Sequence, residues 1–126
     1  MAEQRIRRIA REERVEGPST AGMDRFTALE SDTIWAGGAR TQPAMVSGWH
    51  HHGEQETVIY VLSGTLWMEF GPEGRETFEA TPGDFVHVPV GAIHRESNPS
   101  DEPADLIAVR WGPGPSVVNV EGPTEA

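Results

Sequence analysis

From Arg25 onward the chain is written in short β-forming runs separated by glycine, proline, serine and aspartate. Arg25 to Leu29 and Thr33 to Ala36 read as strands, with Gly37-Gly38 breaking the second, and Ala44-Met45-Val46 leads into Gly48. Thr57 to Leu62 is the densest β-former run and closes at Ser63-Gly64. Thr65 to Phe70 follows, and Gly71-Pro72-Glu73-Gly74 turns it into Glu76 to Ala80. Further turns at Thr81-Pro82-Gly83-Asp84, Pro89-Val90-Gly91 and Asn98-Pro99-Ser100-Asp101 set off Phe85 to Val88, Ile93 to Glu96 and Asp105 to Trp111. No stretch after residue 17 keeps a helical repeat over ten residues. The pattern therefore predicts an all-β fold, a closed or double-sheet antiparallel barrel formed by residues 21–120.

The flanks read differently. Residues 1–20 form an arm holding Arg5-Ile6-Arg7-Arg8-Ile9, which fits a charged helix and an edge strand equally well, and Gly17-Pro18-Ser19 ends it as a linker. Gly112 to Pro115 opens a proline- and glycine-rich end, with 121–126 expected as a flexible tail. No basic stretch backed by an apolar core stands at the amino terminus, so the expected location is cytoplasmic. No apolar run approaches the ~20 residues that span a bilayer, so no membrane partner is expected.

Composition removes several chemistries. At 126 residues the chain is long enough for one domain and too short for two. There are no cysteines, so disulfides, thiolate nucleophiles and sulfur-ligated zinc are excluded. All ten basic residues are arginines, so a lysine Schiff base and a lysine-bearing phosphate loop are excluded too. The net charge is −10, and five of the arginines fall within residues 1–16, leaving a strongly acidic body. Such a body disfavours nucleic acid, whose binding rests on basic contacts to phosphate.

Chemistry enters with Gly48 to Gly64, GWHHHGEQETVIYVLSG. His50 and His52 are two residues apart, so in an extended segment both rings leave one face, while His51 points the other way. Neutral imidazole is the commonest protein metal ligand, and such a pair has bidentate spacing. A solvated cluster or a chance run would give the same three letters.

A second constellation, Gly83 to Asn98, reads GDFVHVPVGAIHRESN and places Gly83, Pro89, Gly91, His94 and Asn98 in fixed register. With His50, His52 and Gly64 ahead of it, the chain resembles the cupin superfamily over about residues 40–111. The resemblance implies a double-stranded β-helix, or jelly-roll barrel, in which His50, His52 and His94 hold one divalent transition metal. With nitrogen and oxygen donors the candidates are Fe(II), Mn(II), Ni(II), Co(II) and Zn(II). The family's glutamate is out of step. Counting back from Gly64 reaches Thr57, and the nearest carboxylate, Glu56, lies one residue earlier, on the opposite face of a regular strand. Either a bulge near Gly53 to Gln55 turns Glu56 inward, or three histidines form the site with Gln55 or Glu54 nearby.

Three protein ligands leave adjacent positions open on an octahedral ion, which suits a chelating substrate and dioxygen. The leading expectation is a mononuclear metalloenzyme, dioxygenase-like, acting on a small metabolite. The alternative is a non-catalytic ligand-binding or sensor cupin; an epimerase-like acid–base cupin fits a lysine-free acidic chain poorly. Met45, Ile59, Phe85 and Trp111, with Val61 and Ile93, are expected to wall the pocket. Glu96 shares the parity of His94 and is a candidate to orient a ligand or move a proton, though it reads more naturally as an exposed strand-end residue; Arg110 is a candidate bidentate clamp for a substrate carboxylate, though it reads more naturally as half of a surface ion pair. His87 faces either way, and Tyr60 is expected between sheets or at a subunit contact. Small cupins commonly pair, so a homodimer covering an open sheet edge is expected.

Overall fold

The computed structural model describes residues 5–124. It contains twelve strands: β1 (Val15–Glu16), β2 (Met23–Glu30), β3 (Ile34–Thr41), β4 (Met45–Val46), β5 (His50–His51), β6 (Glu56–Ser63), β7 (Leu66–Phe70), β8 (Glu76–Ala80), β9 (Phe85–Val88), β10 (His94–Asn98), β11 (Ala104–Trp111) and β12 (Val118–Asn119). The only helices among the described residues are two 3-10 turns, Arg11–Glu13 and Pro72–Gly74. One sheet runs β1-β2-β3-β11-β6-β9; the other runs β12-β5-β10-β7-β8, with β4 added along β10. Neighbouring strands pair antiparallel throughout. The all-β, single-domain fold expected from the pattern forms, as the jelly roll that the resemblance implies.

Alternation decides which side chains meet between the sheets. On β6 the buried set is Thr57, Ile59 and Val61; on β11 it is Ala104, Leu106, Ala108 and Arg110; on β9 it is Val86 and Val88. Of these, Ile59, Val61, Leu106, Ala108, Val86 and Val88 pack with Trp35, Leu66 and Met68 into one core. At ~25 cal/mol per Å² of apolar surface removed from water, this layer is the main stabilising element. The reverse faces carry Tyr60, whose ring lies 4.8 Å from that of Phe85, and both look outward.

Two expectations need correcting. Gly37-Gly38 does not break its strand, for β3 continues to Thr41. A Cβ at Gly37 would lie 2.0 Å from the Phe26 carbonyl oxygen, so the glycine allows β2 and β3 to approach where their register shifts between Thr27 and Leu29. In the arm, residues 5–10 form neither a helix nor a strand; the edge is taken by Val15–Glu16 against β2, and residues 1–4 lie outside the described residues. The tail is tethered as far as it is described: Val120 N–H donates to Trp49 O at 3.0 Å, and Thr124 O accepts from Glu73 N–H at 2.6 Å. Residues 125–126 lie outside the description.

Candidate metal centre

The register brings the histidines of the two motifs together. His94 of β10 stands directly opposite His50 of β5, so their side chains share a face, and His52 follows His50 by one full alternation. The β9–β10 turn is held to the loop after His52 by a hydrogen bond from Gly91 N–H to Gly53 O at 3.0 Å. Gly91 sits at φ +71° with open space around it, so the turn needs glycine for its backbone and not for room. Asn98 is wholly buried and closes the next loop, donating to Thr41 O and Glu102 O and accepting from Ser100. Its role in the motif is structural.

His50, His52 and His94 are all buried, and one nitrogen from each lies within 4.8 Å of the others. Ring centroids are 5.3 Å apart for His50 and His52, 4.3 Å for His50 and His94, and 5.0 Å for His52 and His94. Each ring presents Nδ1 to a backbone carbonyl: His50 to Gly48 O at 3.0 Å, His52 to Ser116 O at 2.8 Å, His94 to Ala92 O at 3.0 Å. A carbonyl only accepts, so each Nδ1 donates a proton to it, and the neutral rings of His52 and His94 keep their Nε2 lone pairs. His94 Nε2 is buried without a partner. His51 faces away, its Nδ1 accepting from Gly53 N–H at 2.9 Å.

The carboxylate in this cluster is Glu96. Met68 of β7 stands opposite it, and the residue is 2% exposed. Its Oε2 lies 3.3 Å from His50 Nε2 and 3.9 Å from His94 Nε2. Burial alone would raise its pKa; the hydrogen bond and charge it meets at His50, then the charges of His94 and Arg25, outweigh burial and hold it ionised. Arg25 of β2 reaches the same place, with Nη2 3.2 Å from His50 Nε2 and Nη1 2.8 Å from Thr20 Oγ1. Burial lowers its pKa, and Glu96 offsets part of that. His50 Nε2 therefore faces a donor and an acceptor at once, where a proton or a metal ion can settle. His52 is depressed to about 2 and His94 to about 4, in both cases by burial first; Arg110 adds to the effect at His52. Both rings are neutral at physiological pH, as metal ligation requires.

Glu56 is not part of this group. The register between β6 and β11 runs unbroken from Glu56 to Val61, so no bulge turns it inward; it lies on the outer face with His87, Oε1 to Nε2 2.6 Å. Thr57 takes the inward position, fully buried, with its hydroxyl unpartnered. Gln55 is buried nearby in sequence and donates to Gly112 O and Gly114 O. Of the expected pocket wall, Ile59 is core and Met45 packs against the core half-buried, whereas Phe85 and Trp111 are 72% and 41% exposed, on the wrong parity of their strands. The cavity that reaches His94, about 180 Å³, is lined instead by Met68, Phe70, Phe78, Val86, Val88 and Ala92, together with His87 and Pro89. Arg110, expected at the surface, is 3% exposed and stacks 4.4 Å above the Trp35 ring.

An antiparallel double-stranded barrel with three histidines converging inside it defines a class of small β-barrel with a metal-site geometry. The family is shown by the sequence itself: the cupin domain model matches residues 39–110, more than half of the chain, and the protein belongs to that family. No protein with a curated description matches it. Among solved structures it is similar to the polyketide cyclase RemF from Streptomyces resistomycificus, at 22% identity and TM-score 0.74, covering 92% of this chain and 86% of that one. It is also similar to an uncharacterized conserved protein with a double-stranded beta-helix domain from Klebsiella pneumoniae, at 22% identity and TM-score 0.72, covering 94% and 99%. Oxalate decarboxylase from Bacillus subtilis matches at 24% identity and TM-score 0.68 over 81% of this chain, which spans only 28% of that larger protein. At these identities the likeness is one of fold.

Proposed function

We propose that this cupin holds one divalent transition metal through Nε2 of His50, His52 and His94, with Glu96 supplying an oxygen donor, and that it is a mononuclear oxidoreductase of the dioxygenase-like kind acting on a small metabolite. The observation that carries the metal reading is the set of three Nδ1 contacts to the carbonyls of Gly48, Ser116 and Ala92, which leave Nε2 of each ring for an ion, with one nitrogen from each ring within 4.8 Å of the others. The buried, unpartnered Nε2 of His94 is the atom that a cation would satisfy. Three imidazoles and a carboxylate suit Fe(II), Mn(II), Co(II), Ni(II) or Zn(II). Such an ion supplies Lewis acidity and open positions for ligands.

The chain's own residues do the rest. Glu96, in contact with His50 and held ionised, can accept a proton from a bound acid, and Arg25, whose Nη2 lies 3.2 Å from His50 Nε2, would yield that nitrogen to the ion. Met68, Phe70, Phe78, Val86 and Val88 exclude water from the approach to His94. The similar structures include a cyclase and a decarboxylase, so the reaction type is argued from the site and not from the fold.

Elemental analysis of protein purified without a polyhistidine tag tests the metal reading. About one equivalent of a single first-row metal is expected, with near-complete loss in His94→Ala; a metal-free protein that takes up none on dialysis against Mn(II) or Fe(II) rules it out. Nitric oxide added to the Fe(II)-loaded protein tests the open positions, with an iron–nitrosyl paramagnetic resonance signal expected. A silent spectrum from iron-replete protein would exclude the oxygenase-type chemistry.

A further inference from the structure

The charges inside the barrel do not balance. Among the described residues, the buried ionised side chains are Arg25, Arg110 and Glu96, two cations against one carboxylate. The carboxylate is engaged by the histidines. Arg110 stands in register between Trp35 of β3 and Thr57 of β6, its Cζ 4.4 Å over the indole, with Nε and Nη1 buried and unpartnered. The Thr57 hydroxyl beside it is likewise buried without a partner, as is Arg25 Nε. Burial first and Arg25 second, partly offset by Glu96, lower the Arg110 pKa to about 9, so the group stays charged at neutral pH. A buried cation with vacant donors is costly unless an anion meets it, and a bound metal would add to the excess.

We propose that the ligand of this barrel is a small organic carboxylate received by Arg110, with the Thr57 hydroxyl as a second donor, next to the histidine cluster. The planar guanidinium matches a carboxylate. Arg110 and Thr57 are not among the residues that line the cavity at His94, so the ligand would reach from the guanidinium past the histidines, and the apolar lining there suits a hydrocarbon body more than a fully hydrated inorganic anion. The inference refines the metalloenzyme reading by naming its substrate class, but the charge excess exists without the metal.

The test is calorimetric titration of metal-free and Mn(II)-loaded protein, in chloride-poor buffer, with propionate, malonate, propionamide and phosphate. Propionate or malonate should bind both forms, with propionamide and phosphate at least tenfold weaker. Arg110→Gln should weaken carboxylate binding at least tenfold while its Mn(II) affinity holds or rises, since removing a neighbouring positive charge favours a cation; merely structural damage would lower both. Arg110→Lys, which keeps the charge without the fork, should recover part of the loss and serves if the glutamine variant does not fold. Equal binding of propionamide, preference for phosphate, or undiminished carboxylate affinity in Arg110→Gln would overturn the proposal. Failure of Mn(II) binding with carboxylate binding intact would instead strike the metal reading alone.

Discussion

Among the described residues histidine meets carboxylate at two places, and these differ in nearly everything except composition. His87 and Glu56 meet at 2.6 Å on the outer face, with side chains 57% and 39% exposed. His50 and Glu96 meet at 3.3 Å inside the barrel, 0% and 3% exposed, with a second histidine and an arginine at the same point. The outer pair is shorter, yet water screens it, and pairs of that kind are worth about 0–1 kcal/mol. The inner pair works at low dielectric, where removing one partner strands the other. Distance therefore misleads about which pair matters; burial and the company each pair keeps decide it.

The sharpest way to break this comparison is to neutralise each carboxylate in turn. Glu96→Gln should lower Mn(II) affinity ten- to a hundredfold, the range found when groups supporting metal ligands are removed. Glu56→Gln should leave metal affinity unchanged and shift stability by less than about 1 kcal/mol. Calorimetric metal titration alongside chemical denaturation reads both. Equal effects, or a larger one at Glu56, would reverse the assignment of roles.

A smaller effect separates the regions by pH. His52 and His94 are neutral in the folded protein down to about 2 and about 4, against an ordinary value of 6.5 in the unfolded chain. Between pH 6.5 and 4 only the unfolded chain takes up these protons. The stability of metal-free protein should therefore be flat with respect to these groups above pH 7, and fall on acidification by on the order of 1.4 kcal/mol per pH unit per histidine. The share of His94 ends near pH 4, while that of His52 continues below it. Denaturation at pH 8, 6 and 5 measures the slope, and His94→Ala should roughly halve it, leaving the share of His52. A wild-type slope of zero from pH 6.5 to 4.5 would mean that the buried rings titrate normally.

Much of this arrangement was legible in the sequence, and the rest was hidden for identifiable reasons. Turn residues at Gly64, Gly83, Pro89 and Gly91 fixed the strand boundaries, and the spacing from His50 to His94 named the three rings that converge. Strand parity was not legible. It depends on a register that only the folded sheet defines, and a single step moves a side chain from core to solvent. That step turned Trp111 outward and Arg110 inward, Phe85 outward and Val86 inward, Glu56 outward and Thr57 inward. For Glu56 and Thr57 the out-of-step glutamate was itself a signal. Glu96 carried a weaker one, its shared parity with His94. The Nδ1 acceptors Gly48, Ser116 and Ala92 left no trace, because backbone carbonyls are present at every position.

The most direct measurement is an anomalous-scattering map from crystals grown with Mn(II) or Zn(II), which locates the ion itself. One strong peak should lie about 2.0–2.3 Å from Nε2 of His50, His52 and His94, within reach of the Glu96 carboxylate and far from Glu56. A barrel without a peak, or with its strongest peak between His87 and Glu56, would contradict the account.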